Sequence, residues 1–457
     1  MPGVVFLFTI VVMTVPPPRT TAHASDLLDW FPRMTLASAA TGLEDSAPLR
    51  TLYVAATGSD SNSGTAASPW RTPQYAANQA QAGDLIILRA GSYAGFVIPV
   101  SGTAAHRLTF RGEPGATISS PVSFGGGIYG VNASGQSFLT LEGLTFAPQA
   151  GQARWYAAIR LGGKPKDWAV GNIIRNNVVQ MRQVNIAATP DKYGLYASWQ
   201  DGLLVAGNAI SGGYNSGIYV TNSAKNYIIR GNTVADVGGN GIHNNGDASQ
   251  GGPGINVNAL IEGNIIHHVG YGIGGQAISC DGVQNSRIRN NLIYDAAAKG
   301  IALYVTNAAA PSRNNLVVNN TVVTVGSGAP LRINVNCSGN TVVNNIFVAA
   351  TATGGWIDGE ESGLVGSTID YNVTFGVAKV GGVTRADWKT TYGFDLHSLV
   401  ATPATLFLNA AEKDFQLKAG SKAIRAGTSR NAPAHDLVGT ERPKNVTPDI
   451  GAYKHAR

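Results

Sequence analysis

Cysteine is nearly absent, with two in 457 residues. That is too few for a disulfide scaffold or a four-thiolate zinc site. Charge is sparse as well. Asp, Glu, Lys and Arg make up 13% of the chain, against 44% hydrophobic residues. A chain kept unfolded by its composition has the opposite balance. The net charge of +6 is scattered, without the Lys/Arg cluster that marks a nucleic-acid binder. Beyond the first residues no apolar run approaches the ~20 needed to cross a bilayer, so no membrane partner is expected. The 57 glycines follow no period of three, which excludes collagen. Helical periodicity is missing from the central region, which excludes helical solenoids.

Asparagine is abundant, and its placement is informative. Of 35 Asn, 28 lie between residues 172 and 345. They recur in one pattern, as in Ile173-Ile174-Arg175-Asn176-Asn177-Val178-Val179 and Leu316-Val317-Val318-Asn319-Asn320-Thr321-Val322. Taking the second Asn as anchor, the positions are 177, 208, 232, 264, 291, 320, 345 and 372, spaced by 24 to 32 residues. Such a period means a solenoid or array, and propeller blades would need ~40–45 residues each. Short Val/Ile-rich segments broken by Asn and Gly predict a single parallel β-helix, all-β, with one coil per repeat. Like residues then stack every ~4.8 Å. Asn suits this geometry twice over. It tolerates the left-handed bend between strands, and its amide can bond to the Asn of the next coil. The anchors are therefore expected to be structural. Cys280 and Cys337 fall two coils apart, roughly 10 Å along the stack, so two buried thiols are expected rather than a bridge.

Val4–Val15 is almost wholly apolar, and Ala22-His23-Ala24 follows as a small-x-small cleavage pattern. This predicts a signal peptide over 1–24 and a secreted or periplasmic protein. Residues 25–50 are expected to be a lead-in, 51–379 the β-helix and 380–457 an end cap.

The start of the solenoid contains Gly58-Ser59-Asp60, Pro69-Trp70-Arg71-Thr72 and Gly83-Asp84-Leu85-Ile86-Ile87-Leu88. Its end contains Asp436, Gly439, Arg442-Pro443 and Asp449-Ile450-Gly451-Ala452-Tyr453. Together with the repeats, over roughly residues 52–455, these resemble secreted right-handed parallel β-helix proteins of the pectate-lyase-like superfamily. The resemblance implies a capping helix at Pro73–Ala82 and a carbohydrate partner. It does not choose among lyases, hydrolases and epimerases, because fold alone does not fix function.

After each anchor a further strand aligns: Gly194–Ser198, Gly217–Thr221, Gly241–Asn245, Ala277–Asp281, Gly300–Tyr304 and Pro330–Asn334. Alternation predicts two outward columns. One holds Tyr196, Tyr219, His243, Ser279, Ala302 and Arg332. The other holds Ser198, Thr221, Asn245, Asp281, Tyr304 and Asn334. Such a band of aromatic and polar groups suits a sugar polymer. The leading expectation is a lyase that cleaves an acidic, uronate-containing glycan by β-elimination. His243, Lys299, Arg332 and Tyr304 are the candidate catalytic residues, as base, charge neutraliser or acid. Tyr196, Tyr219, Asn245 and Asn334 are the candidate substrate contacts. Asp247 and Asp281 are candidate Ca²⁺ ligands, the cofactor that related lyases often use. A plainer reading stands beside each. His243 and Asp281 can serve turns, Lys299 can be a solvated charge, and Arg332 can pair with Glu360 or Glu361. Two alternatives stay open: an inverting hydrolase using Asp247 and Asp281, and a non-catalytic carbohydrate-binding solenoid. The protein is expected to be a monomer.

Overall fold

The computed structural model describes residues 47–183 and 190–456. The expected signal peptide, most of the lead-in and residues 184–189, between the first two Asn anchors, lie outside these residues. The described residues belong to one compact unit. Among the described residues no helix is long and apolar enough to cross a membrane.

Each repeat makes one coil, and each coil adds a strand to up to three parallel sheets. The first sheet has 12 strands, from Arg50–Val54 to Thr368–Asp370. The second has 12, from Gly91–Ala94 to Leu399–Val400, and the third has 16. The expected parallel β-helix is what the chain forms. Inward residues stack on their own kind. Ile159, Leu195, Ile218, Ile242, Ile278, Ile301, Leu331 and Ile357 run in register and are essentially unexposed. Burying each such side chain stabilises the fold by about 1.5–3 kcal/mol.

The two roles expected of Asn are divided between neighbours. The residue before each anchor takes the left-handed bend, as at Asn176 (φ 55°), Asn290 (φ 53°), Asn319 (φ 53°) and Asn344 (φ 59°). Glycine does the same at 207, 231 and 263. The anchors themselves form a buried ladder. Asn264 Nδ2 donates to Asn291 Oδ1 (2.9 Å) and to the Ile229 carbonyl (2.9 Å). Its own Oδ1 accepts from the backbone N–H and side-chain amide of Asn232 (both 3.0 Å). The same bonds run from Asn177 to Asn372. Upstream the ladder ends at Leu144, whose N–H donates to Asn177 Oδ1.

A helix covers Pro73–Gln79, with Thr72 as N-cap and Ala76 and Ala77 in the core. It stops short of the expected Ala82, because Asp84 Oδ2 accepts the Gln81 N–H (2.7 Å) and Gly83 turns at φ 91°. Cys280 and Cys337 are buried free thiols.

The expected end cap over 380–457 divides in two. Trp388 and Phe394 enter the main core beside Trp356, at the end of the stack. From about residue 401 the chain runs back along the outside of the second sheet. Phe407, Phe415 and Ile450 pack there with Leu292, Ile346 and Val373. This strap also holds the bends of three successive coils. Asn290 donates to His435 O, Asn319 to Asp449 O and Gly451 O, and Asn344 to Thr428 O. Buried Arg442 donates to Asn290 Oδ1 (3.0 Å) and to Gly451 O (2.9 Å). Desolvation lowers its pKa to about 10.

Candidate active site on the third sheet

The third sheet carries both columns expected from the sequence, but Asn334 falls just past the paired strand Leu331–Ile333, and Ser198, Thr221, Asn245, Asp281 and Ser279 are buried rather than exposed. Tyr196, Tyr219, His243, Ser279, Ala302 and Arg332 pair in unbroken register. Ser198, Thr221, Asn245, Asp281 and Tyr304 pair beside them. The column extends further than expected, through Arg160 upstream and Asp358 and Lys379 downstream.

Two coils beyond His243, Tyr304 leans back to meet it. Tyr304 Oη lies 3.2 Å from His243 Nε2 and 2.8 Å from Ser279 Oγ. The other imidazole nitrogen, Nδ1, lies 3.3 Å from Asn240 Nδ2. Asn240 Oδ1 already accepts the Gln276 N–H (2.8 Å), which turns its amide NH₂ toward the histidine. Nδ1 is therefore an acceptor and Nε2 carries the hydrogen. The donors run Gln276 N–H to Asn240, Asn240 to His243, His243 to Tyr304 and Tyr304 to Ser279. Desolvation lowers the His243 pKa to about 4, so the ring is neutral at pH 7. Desolvation also raises the Tyr304 phenol, which holds its proton.

The two expected metal ligands do other work. Asp281 is unexposed. Its carboxylate accepts the N–H groups of Thr306 (2.8 Å), Asn307 (2.8 Å) and Ala308 (3.4 Å), fixing the loop after Tyr304. Burial raises its pKa, against those bonds. Asp247 Oδ1 accepts from Ser249 N (2.9 Å) and Ser249 Oγ (2.6 Å), capping a short turn. That turn joins the same wall, since Ala248 N–H donates to Asn307 O and Ala309 N–H to Gly254 O. A calcium ion needs several free oxygens around one point. Among the described residues no group of three or more His, Cys, Asp or Glu side chains converges in this way. These residues do not fit a Ca²⁺ site, and no step is derived through one.

Arg332 is held by Asp358 and by Glu360 Oε1 (2.9 Å), and its Nη2 lies 3.5 Å from Asn334 Oδ1. The structural pairing foreseen for it with Glu360 is therefore present, and the guanidinium is neutralised in place. Lys299 borders the face in register with Gln276 and has no ion-pair partner among the described residues. Asn245 bridges Thr221 Oγ1 (3.4 Å) and Asn307 Nδ2 (3.3 Å), so it ties the wall to the sheet. The His267-His268 pair lies elsewhere. His268 Nδ1 meets Asp236 Oδ1 at a bend (2.6 Å), and His267 stacks on Tyr294.

Tyr196 and Tyr219 belong to a larger aromatic cluster that sequence reasoning missed, with Tyr129, Tyr156 and Tyr193. Neighbouring rings have centroids 5.1–5.9 Å apart. Tyr219 continues it onto His243, at 4.8 Å. Arg160 lies over the Tyr196 ring with Cζ 4.0 Å from the centroid. The signal that could have found Arg160 is Ala157-Ala158-Ile159-Arg160-Leu161, which alternates like the later strands.

Comparison with known proteins bears on the fold. Residues 245–387 match the family model described as a right handed beta helix region. No curated protein matches the sequence. Among solved structures, pectate lyase Pel9A is similar over 91% of this chain and 98% of its own, with TM-score 0.54 at 14% identity. The GH136 lacto-N-biosidase from Eubacterium ramulus is similar over 77% of this chain and 67% of its own, with TM-score 0.55 at 12% identity. A protein described as a glycoside hydrolase is similar over 77% and 95%, with TM-score 0.51 at 12% identity. The parallel β-helix expected from the repeats, right-handed as the resemblance implied, is thus the fold of the chain, and the same fold carries both lyases and hydrolases.

Proposed function

We propose that the protein is a polysaccharide lyase that cleaves a uronate-containing glycan by β-elimination on the outer face of the third sheet. The observation that supports it is the directed chain from Asn240 through His243 and Tyr304 to Ser279. β-Elimination requires a base for the proton at C5 and an acid for the leaving oxygen at C4. In this reading Tyr304 is the acid. Its Oη–H proton passes to O4 as the C4–O4 bond breaks. The phenolate left behind accepts a hydrogen bond from His243 Nε2–H, which is already aimed at it, and Ser279 Oγ–H turns to it as a second donor once the Tyr304 proton has left. Lys299, which borders this face and has no ion-pair partner among the described residues, is the candidate base. Its amine, unprotonated when it acts, takes the C5 proton, and the electron pair forms the C4–C5 double bond. Arg332, paired with two carboxylates, is left out of the step. A secreted location belongs to the proposal and rests on the Val4–Val15 run and Ala22-His23-Ala24.

A hydrolase reading would use Asp247 and Asp281. The raised pKa of Asp281 favours an acid role. Its burial and its three amide bonds oppose it, because an inverting pair needs free carboxyls ~6.5–9.5 Å apart with water between them.

The test is absorbance near 235 nm with a panel of uronate polysaccharides, wild type against Tyr304→Phe. A rising signal that the variant loses supports the lyase. New reducing ends without absorbance would replace it with the hydrolase. Binding without either product would leave a carbohydrate-binding solenoid.

A further inference from the structure

Among the described residues, eleven buried side-chain polar atoms lack a hydrogen-bond partner, and six of them fall between residues 152 and 199. Two of the six, Arg160 Nη1 and Ser198 Oγ, border one gap on the third-sheet face. The gap exists because position 162 is glycine. Ser134, Gly162 and Ser198 stand in register on three successive coils. A Cβ on Gly162 would lie 3.3 Å from Ser198 Oγ, 3.4 Å from Arg160 Nη2 and 3.5 Å from Ser134 Oγ. One guanidinium and two hydroxyls thus surround a space with no atom in it. Arg160 also has no carboxylate partner among the described residues, in contrast to Arg332. Tyr196 lies beneath its guanidinium and holds its plane.

We infer that Arg160, Ser134 and Ser198, gathered around Gly162, form a subsite for the carboxylate of a uronate unit distant from the bond that is cut. The chemistry is specific. A planar guanidinium fork matches the two oxygens of a carboxylate, and hydroxyls complete the remaining acceptor positions. Tyr196 and Tyr219 supply ring faces between this subsite and His243. Arg160 is three register steps from His243, roughly 14 Å at ~4.8 Å per coil. It therefore grips a different sugar from the one that reacts and makes the protein prefer oligomers over short fragments. The subsite assumes the acidic glycan proposed above, but it is tested by binding rather than by turnover.

The experiment is calorimetry on the full chain with tetrasaccharides of galacturonate, glucuronate, mannuronate and guluronate, each beside its carboxyl-reduced form. Arg160→Met keeps the stem and removes the charge. It should weaken the charged ligand about ten- to a hundredfold and leave the reduced form unchanged. Gly162→Ala puts a methyl group 3.3 Å from Ser198 Oγ, so that hydroxyl must give slightly; the variant should weaken the charged ligand, and a melt like the wild type's shows that the fold is kept. Equal loss for charged and reduced ligands, no loss with either variant, or no binding of any charged ligand by the wild type overturns the subsite. Absorbance near 235 nm is read on the same samples. Selective binding without cleavage sinks the lyase and keeps the subsite, whereas cleavage with unselective loss does the reverse.

Discussion

Two columns of stacked side chains run along the solenoid, and they differ in what they leave unsatisfied. At the corner between the first and second sheets, eight asparagines repeat and bond to one another from coil to coil. On the third-sheet face, Arg160, Tyr196, Tyr219, His243, Ser279 and Arg332 occupy equivalent places with unlike chemistry. Around the upstream part of that face, buried polar atoms stand without partners among the described residues. The backbone geometry is the same in both. Uniformity with full satisfaction marks a column that holds the fold. Variety with unmet donors marks one shaped for something outside the chain.

The largest test of this contrast is Asn264→Ala. It strands the Asn232 amide and the Ile229 carbonyl in the core, and should cost about 4 kcal/mol in denaturant unfolding. A cost below about 1 kcal/mol would mean the ladder is not what holds the corner. Tyr304→Phe sharpens the other side. It should lower turnover by about 10²-fold, roughly 3 kcal/mol in barrier, while unfolding shifts by less than about 1 kcal/mol. Were stability to fall as far as turnover, the third-sheet column would be structural like the ladder.

His243 gives a pH signature. Its folded pKa is about 4, below the 6.5 of the free side chain. Between those values the unfolded chain binds more protons, so stability falls as pH drops from about 6.5 to about 4 and then levels. The loss should reach about 3 kcal/mol at most, and His243→Gln should remove it. His268 supplies the smallest effect and the opposite sign. Asp236 raises its pKa, so its contribution is present at low pH and fades as pH rises past the folded value. The pair is half exposed, and His268→Ala should change stability at pH 6 by less than about 1 kcal/mol. Thermal melts of both variants across pH 4–8 test the two signs together.

The sequence was most legible where identical residues recur. Eight Asn anchors gave the coil positions, and the aligned strands after them gave the register of the third sheet. Legibility ended where the repeat changed its residue. At position 144 Leu stands in place of Asn and closes the ladder, so the coils upstream carried no anchor and Arg160 escaped notice. Asp281 and Asp247 read as ligands because a carboxylate before glycine or in a loop looks the same whether it binds a cation or backbone amides. Asp281 meets the amides of residues 306–308 in the next coil, and Asp247 meets Ser249 in its own turn. The segment after residue 401 was read as an end cap because irregular chain has no period from which to infer the surface it covers.

The C-terminal strap has a consequence for how the molecule comes apart. A solenoid frays coil by coil from its ends, since each coil is held by its neighbours alone. Here the bends at Asn290, Asn319 and Asn344 are gripped from outside by one returning segment. Those coils can peel only together, after the strap lifts. Unzipping is thereby directed to the opposite end, where the seven-residue helix Pro73–Gln79 buries Ala76 and Ala77. The strands bearing His243, Ser279 and Tyr304 sit toward the clamped end, so they keep their shape longer than the upstream part of the third-sheet face.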